Sequence, residues 1–293
     1  MSVRNVPVAE TRFLLREYGS GDGTPIVLLH GVPETSSAWH LIAPHLAEGR
    51  RVLCPDLPGL GGSSYSGPFD VPSVVGQLMA LLDAELPGQR IDLAGHDWGG
   101  SLALAMAGAY PDRFRSLCVA NAPYRKVPAL RAGHIPFFAL PFAPEGVFKL
   151  GGRRVVELMF SLAWKSDRTL DPEVMAEYTA AYTDSGKVSA MLGYYRAAAR
   201  PRIAAALTRS KVASLPRAYA DRMLVLWGAA DPVLPIWVGE SVVKDLGASC
   251  DMITVPGAGH FVIEEAPEVC VAALKELFAD APAPKKRAPR KKQ

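Results

Sequence analysis

Residues 95–99 read Gly-His-Asp-Trp-Gly. Two glycines flank Asp97 at the spacing of a strand that turns abruptly into a helix with one side chain at its tip. Side chains two positions either side of such a tip would collide. A carboxylate is already ionised at pH 7 and needs no base to become a nucleophile. Attack on an acyl carbon would give a labile anhydride. Attack on an sp³ carbon bearing a strained or good leaving group gives a stable ester, which water must then open. His260, in VPGAGHF, is the residue type that activates water, and Asp231, in WGAADPVLP, is the type that orients an imidazole. Epoxides and alkyl halides fit this logic.

Each of these residues follows a strand-like apolar run: Arg90–Ala94 before Asp97, Met223–Trp227 before Asp231, Met252–Val255 before His260. Pro25–His30, Arg51–Pro55 and Leu117–Ala120 read as further buried strands, and Thr11–Tyr18 alternates as a half-buried one. Helical spacing occupies Ser36–Ala47 (with Ser36 as its cap), Val74–Leu86, Gly99–Tyr110, Leu234–Leu246 and Phe261–Phe278. This alternation predicts an α/β fold, a mainly parallel sheet flanked by helices, with ligands beyond the carboxyl ends of its strands. The helix beginning at Trp98 aims free N–H groups at the tip, so the backbone N–H groups of Trp98 and Val32 are the expected oxyanion hole. Between Asn121 and Arg222 the alternation stops for far longer than the roughly 30 residues of a βαβ unit. The expected organisation is a core of residues 1–123 and 217–280, an inserted helical cap at 124–216, and a disordered basic tail at 281–293.

HGVPE (30–34), DLPGLGGS (56–63), GHDWGG (95–100), WGAADPVLP (227–235) and GAGHF (257–261) together resemble the capped epoxide hydrolases of the α/β-hydrolase superfamily, over about residues 10–280. The chain order nucleophile, acid, histidine is that of the α/β-hydrolase fold. The resemblance implies that Asp97 forms a covalent ester with an apolar epoxide and that His260, with Asp231, hydrolyses it to a diol. It also implies donors from the cap to the epoxide oxygen. Tyr195, in MLGYYRA, stands in a segment like one that carries such a tyrosine. His134, in AGHIPFFALP, stands where a second tyrosine is usual. Glu34 and His30 would position water or substrate, and Phe137, Phe138 and Phe142 would line an apolar passage. Haloalkane dehalogenases use the same triad and also carry DWG. In that runner-up reading Trp98 and Trp164 are the halide donors, although position 32 is Val where an Asn donor is usual. A non-catalytic binding protein, the third reading, would have no need of Asp97 together with His260.

At 49% hydrophobic and 21% charged residues the chain has a globular composition. Its formal charge of +3 is local: the last thirteen residues, APAPKKRAPRKKQ, hold six Lys or Arg, and without them the chain is net −3. Such a run is expected to be a solvated tail with no specific nucleic-acid partner. Cys54, Cys118, Cys250 and Cys270 form no C-x-x-C pair and read as reduced thiols. No metal-ligand spacing or G-x-G-x-x-G after a strand is present, so no cofactor is expected. The N-terminus lacks an apolar signal region, and no run approaches the ~20 residues of a membrane span. A cytoplasmic protein, monomer or homodimer, is the expectation.

Overall fold

The computed structural model describes residues 1–125, 133–208 and 220–279, with 202–208 as backbone only. Tyr219 and the basic tail lie outside the described residues.

Among the described residues eight strands form one sheet: β1 (Ser2–Val8), β2 (Thr11–Tyr18), β3 (Gly23–Leu29), β4 (Arg50–Pro55), β5 (Ile91–His96), β6 (Phe114–Ala120), β7 (Arg222–Gly228) and β8 (Cys250–Val255). Their order is β1-β2-β4-β3-β5-β6-β7-β8. β1 pairs antiparallel with β2, and β2 with β4; the remaining pairs are parallel. The parallel strands are apolar runs because helices cover both faces. β1 escapes a reading by apolar pattern, since SVRNVPV is polar and holds Pro7; a proline is tolerated there because the strand is an edge.

The helices are α1 (Ala43–Leu46), α2 (Val71–Glu85), α3 (Trp98–Ala109), α4 (His134–Phe138), α5 (Ala143–Gly151), α6 (Arg153–Ala163), α7 (Pro172–Ala181), α8 (Ser185–Thr208), α9 (Ile236–Leu246), α10 (Val262–Glu265) and α11 (Pro267–Leu277). Two expected helices are broken by proline. The Ser36–Ala47 stretch is a 3₁₀ turn, Ser36–Trp39, followed by α1, and its cap is Thr35, whose hydroxyl accepts from Ser37 N–H. Pro44 has no N–H with which to continue the first turn. The closing helix divides at Ala266, which precedes Pro267 and takes φ −140°. Asp70 caps α2 by accepting from Ser73 N–H.

Helices α4–α8 fall between β6 and β7. They are tied to the sheet layer by polar contacts as well as packing. Glu177 on α7 accepts from Arg16 (2.6 Å) and Thr35 (2.5 Å). The hydroxyls of Tyr182 and Tyr194 donate to the carbonyls of Glu34 and Pro58, each at 2.8 Å.

Register brings the site together. Leu29 pairs with Gly95, His96 with Ala120, Ala120 with Leu226, and Gly228 with Val255. The strand ends are therefore level, and the residues that follow them share one edge. That edge lies where the chain crosses from β4 over β3 to β5, the switch point at which an open α/β sheet leaves a crevice.

Candidate active site

Asp97 sits between β5 and α3 with φ 48° and ψ −118°, a conformation an L-residue rarely adopts. The flanking glycines permit it. A Cβ on Gly95 would lie 2.3 Å from the Gly99 carbonyl, and one on Gly99 would lie 2.3 Å from the Leu29 carbonyl. Val32 N–H donates to Asp97 Oδ1 at 3.2 Å, and Trp98 N–H also bonds the carboxylate. The other oxygen, Oδ2, is 3.4 Å from His260 Nε2. His260 Nδ1 is 2.8 Å from Asp231 Oδ2.

Asp231 is held from three sides. Its Oδ1 accepts from Val233 N–H (2.7 Å) and Leu234 N–H (2.9 Å), and its Oδ2 from Asn121 Nδ2 (2.6 Å). The Asn121 oxygen accepts from Gly228 N–H at 2.9 Å, which anchors the amide to β7.

These contacts set the charges. Burial pushes the Asp97 carboxyl up, but the bond and charge of His260, with His96 and Trp98 N–H, outweigh it and hold the group below its ordinary value. Burial likewise pushes Asp231 up, and the charge and bond of His260, with Leu234 N–H and Asn121, bring it below its ordinary value. Burial alone would lower His260; Asp231 and Asp97 together raise it well above an ordinary histidine. The resting triad is thus an imidazolium between two carboxylates.

The inserted helices put an aromatic wall across from Asp97. The ring of Tyr195, on α8, is 5.3 Å from the Trp98 ring, 5.1 Å from Phe138 and 6.3 Å from His134, all edge-on. Burial, then the charge of Asp97, raises the Tyr195 hydroxyl far above its ordinary value, so it keeps its proton. Burial lowers His134, helped by the charge of His260, so it is neutral at pH 7. The Trp98 indole N–H is buried against Tyr195 with no acceptor in hydrogen-bond geometry among the described residues.

The alpha/beta hydrolase family model matches residues 26–273. The chain belongs to the alpha/beta hydrolase family. Epoxide hydrolase A of Mycobacterium tuberculosis is 28% identical over 309 aligned residues, spanning 90% of this chain and 94% of that protein. Fluoroacetate dehalogenase of a Burkholderia species is 29% identical over 276, spanning 89% of each. The crystal structure of epoxide hydrolase A from Mycobacterium thermoresistibile superposes with a TM-score of 0.75 at 27% identity, over 95% of this chain and 98% of that one.

Within this α/β hydrolase, Asp97, His260, Asp231, Val32, Trp98, Tyr195 and His134 converge on one site. Three expected residues do not reach it. His30 is fully buried and spends both ring nitrogens on backbone: Nδ1 is 2.8 Å from the Gly31 carbonyl, and Nε2 accepts from Leu57 N–H at 2.9 Å. It braces the strand-end loop, and both of its ring nitrogens are taken. Trp164 donates its indole N–H to the Arg168 carbonyl at 2.8 Å, so it is not available as a halide donor. Phe142 is 85% exposed and lines no passage, whereas Phe138 is buried. Glu34 does lie under the nucleophile, but its Oε2 is taken by Gly31 N–H and His96. Asn121 follows β6 as the triad residues follow their strands; being no acid it cannot be the anionic partner, and the structure makes it the brace of Asp231 instead. Reading the sequence missed Glu265. The Glu265 carboxylate accepts from four backbone N–H groups: Lys165, Ser166 and Gly259 at 2.8 Å each, and Phe261 at 3.1 Å. Two acids within the apolar run FVIEEAP were the available signal.

Proposed function

We propose that this α/β hydrolase opens an apolar epoxide to a vicinal diol in two steps, with helices α4–α8 as the cap over the site. The observation that carries this reading is the pairing of an ionised Asp97 with two neutral donors, Tyr195 and His134, on the opposite wall. Opening an epoxide leaves an alkoxide. A hydroxyl that has kept its proton and a neutral imidazole are the groups that can meet it with hydrogen bonds.

In the first step Asp97 Oδ2 attacks a ring carbon, the C–O bond breaks, and the oxygen takes a proton from Tyr195. The product is an ester whose carbonyl oxygen, the former Oδ1, lies on Val32 N–H. Ester formation also removes one of the two anions that keep His260 protonated. The histidine can then shed its proton, which restores Tyr195, and act as base. In the second step His260 draws a proton from water, hydroxide attacks the ester carbonyl, and charge develops on the oxygen at Val32 N–H and Trp98 N–H. Collapse returns the Asp97 carboxylate and the diol.

A haloalkane substrate is the second reading, favoured by the buried indole N–H of Trp98, which lies beside the Tyr195 hydroxyl without a well-aligned bond to it. Trp164 cannot complete that cradle. An anionic haloacid is less suited still, because among the described residues the cations acting most strongly on Asp97 are His260 and His96, not arginine.

The test is paired turnover on aryl epoxides and bromoalkanes, with Asp97→Ala as the blank. Diol formation that vanishes in the blank and falls about 100-fold or more in Tyr195→Phe/His134→Phe is expected. Halide release without diol, unaffected by Tyr195→Phe, would overturn the epoxide reading.

A further inference from the structure

Beneath the nucleophile lies a buried polar cluster that the steps above leave unused. Glu34 Oε2 accepts from Gly31 N–H at 2.6 Å and lies 2.8 Å from His96 Nδ1. The other nitrogen of that ring, Nε2, is 2.8 Å from the His260 carbonyl. A carbonyl can only accept, so Nε2 carries a hydrogen. Oε2 also receives Gly31 N–H, and two converging donors favour an ionised acceptor, so the proton between it and Nδ1 is placed on the ring. His96 is an imidazolium and Glu34 its counter-ion. Burial opposes this charge, but Glu34 more than restores it and raises His96 above its ordinary value.

Glu264, on α10, stands against this pair and is 1% exposed. Its Oε1 accepts from the Tyr178 hydroxyl at 3.0 Å. Its carboxyl lies against that of Glu34, whose charge is the strongest influence on it after burial. One oxygen of each, Glu34 Oε1 and Glu264 Oε2, is buried with no donor from any other group among the described residues. Two carboxylates cannot bond one another, because both only accept. A single proton turns the two orphan oxygens into a donor and an acceptor.

We propose that Glu264 is a neutral carboxylic acid at neutral pH that shares its proton with Glu34, and that it positions the Glu34–His96 pair between the oxyanion strand end and the catalytic base. The proton resides on the Glu264 side because Glu34 already faces a cation and a backbone N–H. The groups facing Glu264 itself are Glu34, Glu265 and Tyr178, none of them cationic. Ionising it would leave a second buried anion with only His96 to balance two charges. Burial first, then the charge of Glu34, accordingly holds the acid well above the carboxylate range. A hydrogen-bonded chain then runs from Tyr178 through Glu264, Glu34 and His96 to the His260 carbonyl. It fixes the backbone on both sides of the reacting ester, since Gly31 adjoins the Val32 N–H that holds Asp97.

Two measurements need no substrate. The infrared spectrum at pH 7 should contain a protonated-carboxyl band that is missing from Glu264→Gln. In equilibrium unfolding between about pH 5 and 7, the wild-type unfolding constant should rise about tenfold per pH unit relative to Glu264→Gln, because the acid ionises freely only when unfolded. A pH-independent ratio with no carboxyl band would overturn the proposal. The kinetic consequence rests on the epoxide reading. The amide in Glu264→Gln would keep an N–H for Glu34 and an oxygen for Tyr178. Ester hydrolysis in single turnover should stay within about threefold in Glu264→Gln and slow about tenfold or more in Glu264→Ala, with ester accumulating by mass spectrometry and alkylation less affected. Equal losses in both variants would overturn the positioning role. If no epoxide alkylates Asp97, the epoxide reading fails while the infrared band and the pH slope still decide the state of Glu264.

Discussion

Replacing Glu265 should uncouple the catalytic base from the helices above it. Its carboxylate gathers four backbone N–H groups from two segments: Lys165 and Ser166, just after α6, and Gly259 and Phe261, which flank His260. His260 N–H meanwhile donates to the Ala163 carbonyl at 3.0 Å, so one short stretch after β8 is fixed to one short stretch after α6. In Glu265→Ala the bonds at Gly259 and Phe261 are lost in a buried setting, at roughly 1–3 kcal/mol for each orphaned amide. Water can reach Lys165 and Ser166, which are part-buried, so those losses are smaller. The total is about 4 kcal/mol, or a fall in Tm of roughly 8–12 °C for a chain of this size. Glu265→Gln should cost less, about 1–3 kcal/mol, because its amide oxygen keeps the three donors at Oε2 and only the Phe261 N–H meets another donor. Calorimetry gives the stability order wild type, Gln, Ala. Stopped-flow kinetics should show kcat falling more than kcat/KM, since in the proposed mechanism His260 acts in the second step. An Ala variant melting within about 2 °C of wild type would refute the reasoning.

Asn121→Ala removes the donor to Asp231 Oδ2 and leaves Gly228 N–H without its acceptor, so a loss of about 2–4 kcal/mol and a roughly tenfold fall in kcat are expected, read by denaturant titration and steady-state assay. The pH profiles of the two kinetic constants should differ. With Asp97 held below and Tyr195 above their ordinary values, neither should titrate in kcat/KM between about pH 5 and about pH 9, so a limb in that range belongs to His134 or His260. The kcat profile should carry an added acid limb, because His260 must be neutral to draw a proton from water. The pairing of Asp231 with His260 has a matching stability window. The depressed Asp231 carboxyl contributes above its ordinary value and loses that contribution as pH falls through its folded value. The raised His260 contributes below about pH 6.5 and loses it as pH rises through its folded value. Asp231→Asn should remove the acid end and shrink the basic end, which Asp97 still supports, in a series of unfolding curves. Gly99→Ala forces a Cβ to within 2.3 Å of the Leu29 carbonyl and 2.5 Å of the His30 carbonyl, so soluble yield and Tm should collapse even though alanine favours helices.

By itself the sequence determined the parts of the site that local sterics and periodicity control. A strand running into GHDWG can expose only its central residue, and apolar runs followed by Asp231 and His260 bring both to the carboxyl edge of a parallel sheet. Helix and strand boundaries failed where proline or an edge position overrode the apolar pattern, at Pro44, Pro267 and β1. What the tertiary structure alone decided is where each buried polar atom spends its hydrogen bonds. His30 and Trp164 have the residue types of a site, yet their N–H groups and lone pairs are consumed by the backbone of Gly31, Leu57 and Arg168. Asn121, Glu264 and Glu265 look ordinary in the chain, yet they meet partners more than eighty residues away: Asn121 at Asp231, Glu264 at Tyr178, and Glu265 at Lys165 and Ser166. A buried polar group must find a partner, but spacing along the chain does not say which partner the fold will bring to it.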